Sequence, residues 1–177
     1  MYNTCGWERL EIVRILDGIV DIYLPDFKYA DERMAAKYSS GADNYVLVTL
    51  QASLEMHRQV GTAKPANNGL MNRGLMIRHL VMPNNVSGTK EVIDWIAENL
   101  PKNTYLNLMS QYRPMYKVLA YPEISRKINR SAYLEAVKWA RAAGLTNLDI
   151  QGYHYLNGCG YHRGKTILKL EGHYADL

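Results

Sequence analysis

Residues Leu75 to Met82 read LMIRHLVM, and Pro83-Asn84-Asn85 follow them directly. A short, nearly continuous apolar run closed by turn residues reads as a buried strand. Ser87 then offers an N-cap for a helix running to about Leu100, with Val92, Ile93, Trp95 and Ile96 apolar and Pro101 beyond its end. Strand, turn and amphipathic helix form one unit, and the same unit recurs on both sides of it.

Upstream, Tyr2-Asn3-Thr4 is a short strand, and Trp7 to Leu16 reads as a helix stopped by Asp17-Gly18. Ile19 to Lys28 (IVDIYLPDFK) is a buried strand with polar residues at its end. A short helix over Asp31 to Tyr38 and a longer one over Asn44 to Val60 follow, the second stopped by Gly61. Thr62 to Arg73 (TAKPANNGLMNR) reads as a loop by its Pro, Asn and Gly content. Downstream, Thr104 to Met109 is a strand, and Gln111 to Asn129 is rich in tyrosine. Ser131 is the expected cap of a last helix containing Tyr133, Leu134, Val137, Trp139 and Ala140, closed by Gly144. Four strand-then-helix units in a row imply an α/β fold with parallel strands, because each crossover must return the chain to the same end of the sheet. Residues 1–145 hold these units. Residues 146–177 form a Gly- and His-rich extension, read as a hairpin or a loosely ordered tail.

Composition narrows the classes. The chain of 177 residues is 47% hydrophobic and 21% charged, enough apolar side chains for a core. The net charge of +4 is mild and its cations are scattered, so no nucleic-acid surface is expected. There is no apolar stretch of about 18 residues for a membrane span. The N-terminus lacks the basic region and apolar run of a signal peptide. Cys5 and Cys159 are far apart without ligand spacing, which suits a reducing, cytoplasmic setting better than a disulfide framework.

In a parallel α/β fold the functional residues gather at the C-terminal ends of the strands. Those ends carry Asn3 and Thr4, then Asp26 and Lys28, then Arg78 and His79, then Asn107, Ser110 and Gln111. Asp26 and Lys28 are two apart, so both point to one face of their strand. Such a pair suits a zwitterionic ligand, and it also reads as a local ion pair, the commoner case. Arg78 in an apolar strand needs a partner. It can hold a ligand carboxylate in a fork, or it can pair with Asp26. His79 faces the other way and reads as a hydrogen-bonded packing residue, while His57 reads as a surface residue on its helix. Gln111 or Tyr112 could reach a ligand, or Tyr112 and Pro114 could simply pack over the sheet end. Cys159, His162 and His154 match no strong zinc pattern and lack a fourth ligand.

Taken in order, YNTCGWERLEIVRILDGIVDIYLPDFKY, EMHRQVG, GLMIRHLVMP, LMSQYRP and YPEISRKINRSAYLEAVKWARAAGL resemble radical SAM proteins related to the pyruvate formate-lyase activating enzyme. The resemblance runs from Tyr2 to about Leu145. It implies the last four β/α units of a partial (β/α)6, TIM-like barrel in an oxidoreductase. Such an enzyme binds a metal centre, a 4Fe-4S iron-sulfur cluster, and reductively cleaves S-adenosylmethionine (SAM) to a 5′-deoxyadenosyl radical. In the activating enzymes that radical acts on a glycyl radical enzyme. The family's DxK pattern falls on Asp26 and Lys28, its cofactor-site arginine on Arg78, and its acid-Thr pair on Asn3 and Thr4, with an amide replacing the acid. Gln111 stands near a position where relatives often carry histidine. The CxxxCxxC segment that binds the cluster has no counterpart here, so the cofactor expected of this chain is SAM, with the cluster confined to a longer form. No residue of this chain is expected to be catalytic or to bind metal. The resemblance further implies an exposed barrel edge that pairs with a missing N-terminal segment or with another copy. The alternative is a cluster-less half-barrel serving as a binding module.

Overall fold

A computed structural model of the chain describes residues 1–65 and 69–150. Five strands run parallel in one sheet: β1 (Tyr2–Thr4), β2 (Ile22–Pro25), β4 (Met71–Leu80), β5 (Tyr105–Met109) and β6 (Leu148–Ile150), side by side in that order. A two-residue strand, β3 (Lys64–Pro65), pairs antiparallel with the start of β4. The helices are α1 (Leu10–Ile15), α2 (Glu32–Tyr38), α3 (Tyr45–Val60), α4 (Thr89–Asn99) and α5 (Arg130–Ala142). Among the described residues the sheet is open, with β1 and β6 at its two ends.

The strand order decides where the helices go. Every parallel step moves to the next position in the same direction, and right-handed crossovers then lay each connecting helix on one face. The core shows this. Val13 of α1, Met56 of α3, Ile93 and Ile96 of α4, and Tyr133 and Ala136 of α5 join one cluster with Tyr23, Phe27, Leu75, Ile77, Leu106 and Leu108 of the sheet. The intervening residues Ile22, Leu24, Met76, Arg78, Leu80 and Asn107 are only half-buried, because none of the described helices covers their face. The period-2 pattern of the strands thus sorts an apolar helix side from a mixed open side.

The α/β class and the parallel pairing agree with the sequence pattern, and several boundaries do not. The expected loop at Thr62 to Arg73 contains β3 and the first residues of β4, folded together where Gly74 lies against the Ala63 backbone. Helix α1 begins at Leu10 rather than Trp7, whose indole N–H instead donates to Asn44 Oδ1 at 2.8 Å. Neither expected serine cap forms. Asn129 caps α5 by accepting from the Ala132 amide at 2.8 Å, and Ser131 donates to Asn129. Asn85 Oδ1 takes the Thr89 amide at the start of α4, while the Ser87 hydroxyl accepts from the Met82 amide. The sheet also continues past residue 145, since β6 pairs in register with β5. His154, Cys159, His162 and the rest of residues 151–177 lie outside the described residues.

Candidate functional site

The open face becomes polar at the C-terminal ends of its strands. Asp26 bridges to Arg78 on the neighbouring strand, Arg78 is in register with Asn107, and Asn107 with Asp149. These four side chains form a row across β2, β4, β5 and β6. Lys28 and Asn3 complete it on the β1 side.

Asp26 is the shared anion. Lys28 Nζ lies 3.0 Å from Asp26 Oδ2, and an Arg78 guanidinium nitrogen lies 2.6 Å from Asp26 Oδ1. The Arg78 contact is a close ion pair off the hydrogen-bonding direction, and the same nitrogen donates an aligned bond to Asn3 Oδ1 at 2.8 Å. The arginine therefore reaches over β2 to β1. Around Asp26 two cations meet one carboxylate, a local excess of positive charge that suits an anionic group at the β1–β4 end of the row, while Asp149 balances it at the β6 end. Among the described residues, three buried atoms of this network make no hydrogen bond: Asp26 Oδ1, which has only its ion pair, Arg78 Nε, a donor, and Asn107 Oδ1, an acceptor. Unfilled polar atoms on neighbouring strands of an open face are the natural contacts of a bound group.

The backbone under this site is held from the helix side. The Tyr45 hydroxyl, at the start of α3, accepts from the Lys28 amide at 2.9 Å and lies 3.0 Å from the Asp26 carbonyl and 3.1 Å from the Cys5 carbonyl. One buried phenol thereby ties the end of β1 to the end of β2. Burial chiefly, and the Asp26 charge in addition, push its ionisation well above the ordinary tyrosine range. Asp26 is further fixed by its amide bonding to the Thr4 carbonyl at 3.0 Å, and Phe27 by its amide bonding to the Arg78 carbonyl at 2.8 Å. Gly6 lies so close that a Cβ on it would be 2.0 Å from the Asp26 carbonyl oxygen.

Of the residues expected at the site, Asp26, Lys28, Arg78 and Asn3 come together. Thr4 does not join them: it faces the helix side, where its hydroxyl meets Glu8 and accepts from the Gly6 amide. Gln111 is exposed and contacts Met109 Sδ at 3.4 Å, apart from the network. Tyr112 donates to the Ile124 carbonyl at 2.8 Å and packs against both core clusters. His79 is fully buried on the helix side. Since a carbonyl can only accept, its Nδ1–H donates to Phe27 O at 2.6 Å, and Nε2 accepts from Thr89 at 2.9 Å. His57 is half-buried.

Sequence reasoning missed Tyr45 and Asp149. Asp149 accepts from Tyr105 at 2.8 Å and from the Asn107 amide nitrogen. Those bonds fix the Asn107 amide with its oxygen turned away from Asp149. The signal for Asp149 was its alternation in LDI, too short to stand out.

Two cysteines, Cys5 and Cys159, cannot supply the three thiolates of a radical SAM cluster, and Cys5 is exposed after β1. Among the described residues no group of His, Cys, Asp or Glu is placed to hold a metal ion. What the site does present is two cations, Lys28 and Arg78, and the orphaned donor Arg78 Nε, a set that fits an anionic group such as a carboxylate.

No family model and no solved structure matches the chain. An uncharacterized protein of Methanocaldococcus jannaschii is similar to it: 31% identical over 151 residues, which cover 85% of this chain. The chain spans only 39% of that relative's length.

Proposed function

We propose that this chain is part of a radical SAM iron-sulfur enzyme resembling the activators of glycyl radical enzymes, and that its strand ends bind SAM. On this reading the sheet is one wall of a partial (β/α)-barrel, made of four β/α units with β6 beyond them. Consecutive strand order with helices on one face supports it, since a doubly wound sheet is covered on both. The observation that carries the proposal is the convergence of Asp26, Lys28, Arg78 and Asn3 on that uncovered face, with a buried guanidinium donor left unfilled. Lys28 and Arg78 hold the cofactor carboxylate, while Asp26 keeps both cations in place. Beside a reduced cluster, SAM supplies hydrogen-atom abstraction. The two cysteines of this chain do not suffice for the cluster's three thiolates.

Calorimetric titration with SAM tests the proposal. Binding that weakens at least tenfold in Lys28→Ala and in Arg78→Met is expected. Absence of binding, or binding by either variant as tight as by the parent, overturns it.

The cysteine count favours one second reading, a half-barrel that binds its ligand without iron. Undiminished SAM affinity after chelation, together with no iron uptake by a longer form of the protein, supports that reading over the enzyme.

A further inference from the structure

A cleft of about 260 Å³ opens beyond the ends of β2 and β4, roofed by the tyrosine-rich segment between β5 and α5. Tyr29, Tyr38, Tyr112 and Tyr121 wall it with Leu80 and Met82. Three of these phenols have their hydroxyls engaged within the fold: Tyr112 with the Ile124 carbonyl, Tyr38 with Glu123, and Tyr29 with Ser39. Tyr38 and Tyr112 donate into the fold and offer a ligand mainly ring surface, whereas Tyr29 only accepts from Ser39 and keeps its own proton. The charges lining the cleft are Lys28, Arg113 and Lys117, with no carboxylate among them. Lys28 is held by Asp26. Lys117 sits over the Tyr116 ring at 5.4 Å, and Arg113 is exposed with no hydrogen bond or ion pair among the described residues. Nearby Glu123 is already bound by Lys37 at 2.5 Å.

We infer that this cleft binds an aromatic carboxylate, its rings against the tyrosines and its anionic group at Arg113 and Lys117. Size sets the class. A cavity of about 150 Å³ takes one benzene ring, so 260 Å³ suits a bicyclic ring system. Tyr116 stands at the mouth with a φ of 58°, a left-handed conformation that a tyrosine rarely adopts, and is 88% exposed. Strained residues of this kind gather at ligand clamps. Lys28 belongs both to the cleft and to the Asp26 network, so a bound anion lies beside the candidate cofactor site. That this anion is the substrate of the proposed chemistry rests on the preceding reading; the binding itself does not.

The test is calorimetry on the full chain with 2-naphthoate, its neutral isostere 2-naphthamide, and acetate. Naphthoate should bind at least tenfold tighter than naphthamide, and acetate should give no measurable heat. The double variant Arg113→Gln/Lys117→Gln should bind naphthoate no better than naphthamide and leave naphthamide affinity unchanged. Equal affinity for the two ring compounds, or a double variant that binds naphthoate like the parent, overturns the assignment. Tighter binding of a poly-glutamate peptide than of naphthoate also overturns it, in favour of a protein partner. A parallel SAM titration separates the two ideas. Naphthoate binding without SAM binding removes the cofactor reading and keeps the cleft; SAM binding without naphthoate binding does the reverse.

Discussion

The Arg78 guanidinium lies 2.6 Å from the Asp26 carboxylate, yet its aligned hydrogen bond goes past Asp26 to Asn3. Asp26 is thus the centre of a three-strand contact, with Lys28 as its second cation. The members are unequal. Asp26 is 13% exposed, whereas Lys28 is 33% exposed and one of two cations on the same anion. Asp26→Asn leaves Arg78 in a partly buried place without its counter-charge and should cost ~2 kcal/mol, between the values for surface and buried pairs. Lys28→Ala should cost about 0.5 kcal/mol. Urea denaturation of both variants checks the order; a larger loss for Lys28→Ala would show that Asp26 is not the hub.

Gly6 predicts a second sensitivity. Its φ of 87° is in the left-handed region, and a Cβ there meets the Asp26 carbonyl. Gly18 is also left-handed, with a φ of 77°, but a Cβ there meets nothing within 4 Å. Both alanine variants carry the backbone strain, roughly 1 kcal/mol, and only Gly6→Ala carries the collision as well. Gly6→Ala should therefore lose clearly more stability and weaken ligand binding at Asp26, while Gly18→Ala leaves binding intact. Matching thermal midpoints for the two would remove the steric argument.

Tyr45→Phe removes one oxygen that three backbone groups share. The Lys28 amide then loses its acceptor in a partly buried place, a loss of about 1–2 kcal/mol. Amide hydrogen exchange should accelerate at Lys28 more than at Leu24, whose position inside β2 does not depend on that phenol. Unchanged protection at Lys28 would mean that the phenol is not what shields this amide from solvent.

How much of this was legible in the sequence follows from the range of each interaction. The strand at Tyr2–Thr4 and the long helix after Asn44 were readable because alternation, helical period and a glycine stop are local signals. The Asp26–Lys28 pair was readable for the same reason, since period 2 places both on one face. The β3–β4 hairpin was not, because it depends on Ala63 meeting Gly74, a contact across a Pro- and Asn-rich stretch with no strand pattern. The caps differed where two candidates stood within two residues: Ser87 is engaged with Met82 and Thr89, and Ser131 bonds to Asn129, which caps in its place. Tyr45 looked like an ordinary apolar helix residue, and its polar role exists only because the ends of β1 and β2 converge above it.

His79 makes stability depend on acidity. It is fully buried, and burial lowers its pKa from 6.5 to about 4, with the bond to the Phe27 carbonyl opposing that shift. The unfolded chain takes up the proton near pH 6.5 and the folded chain only near pH 4. Stability is therefore full above pH 6.5, falls through that interval, and levels off below it. The loss should reach about 2 kcal/mol by pH 5 and approach 3 kcal/mol near pH 4. His79→Asn keeps a donor for Phe27 but cannot titrate. It should be less stable than the parent at pH 7, yet its stability should change much less between pH 7 and pH 5, where most carboxylates are still ionised. Urea midpoints for both proteins at pH 7, 6 and 5 give the two slopes. Parallel slopes would mean that another group carries the dependence and that the imidazole is not the neutral donor–acceptor link between β2 and α4.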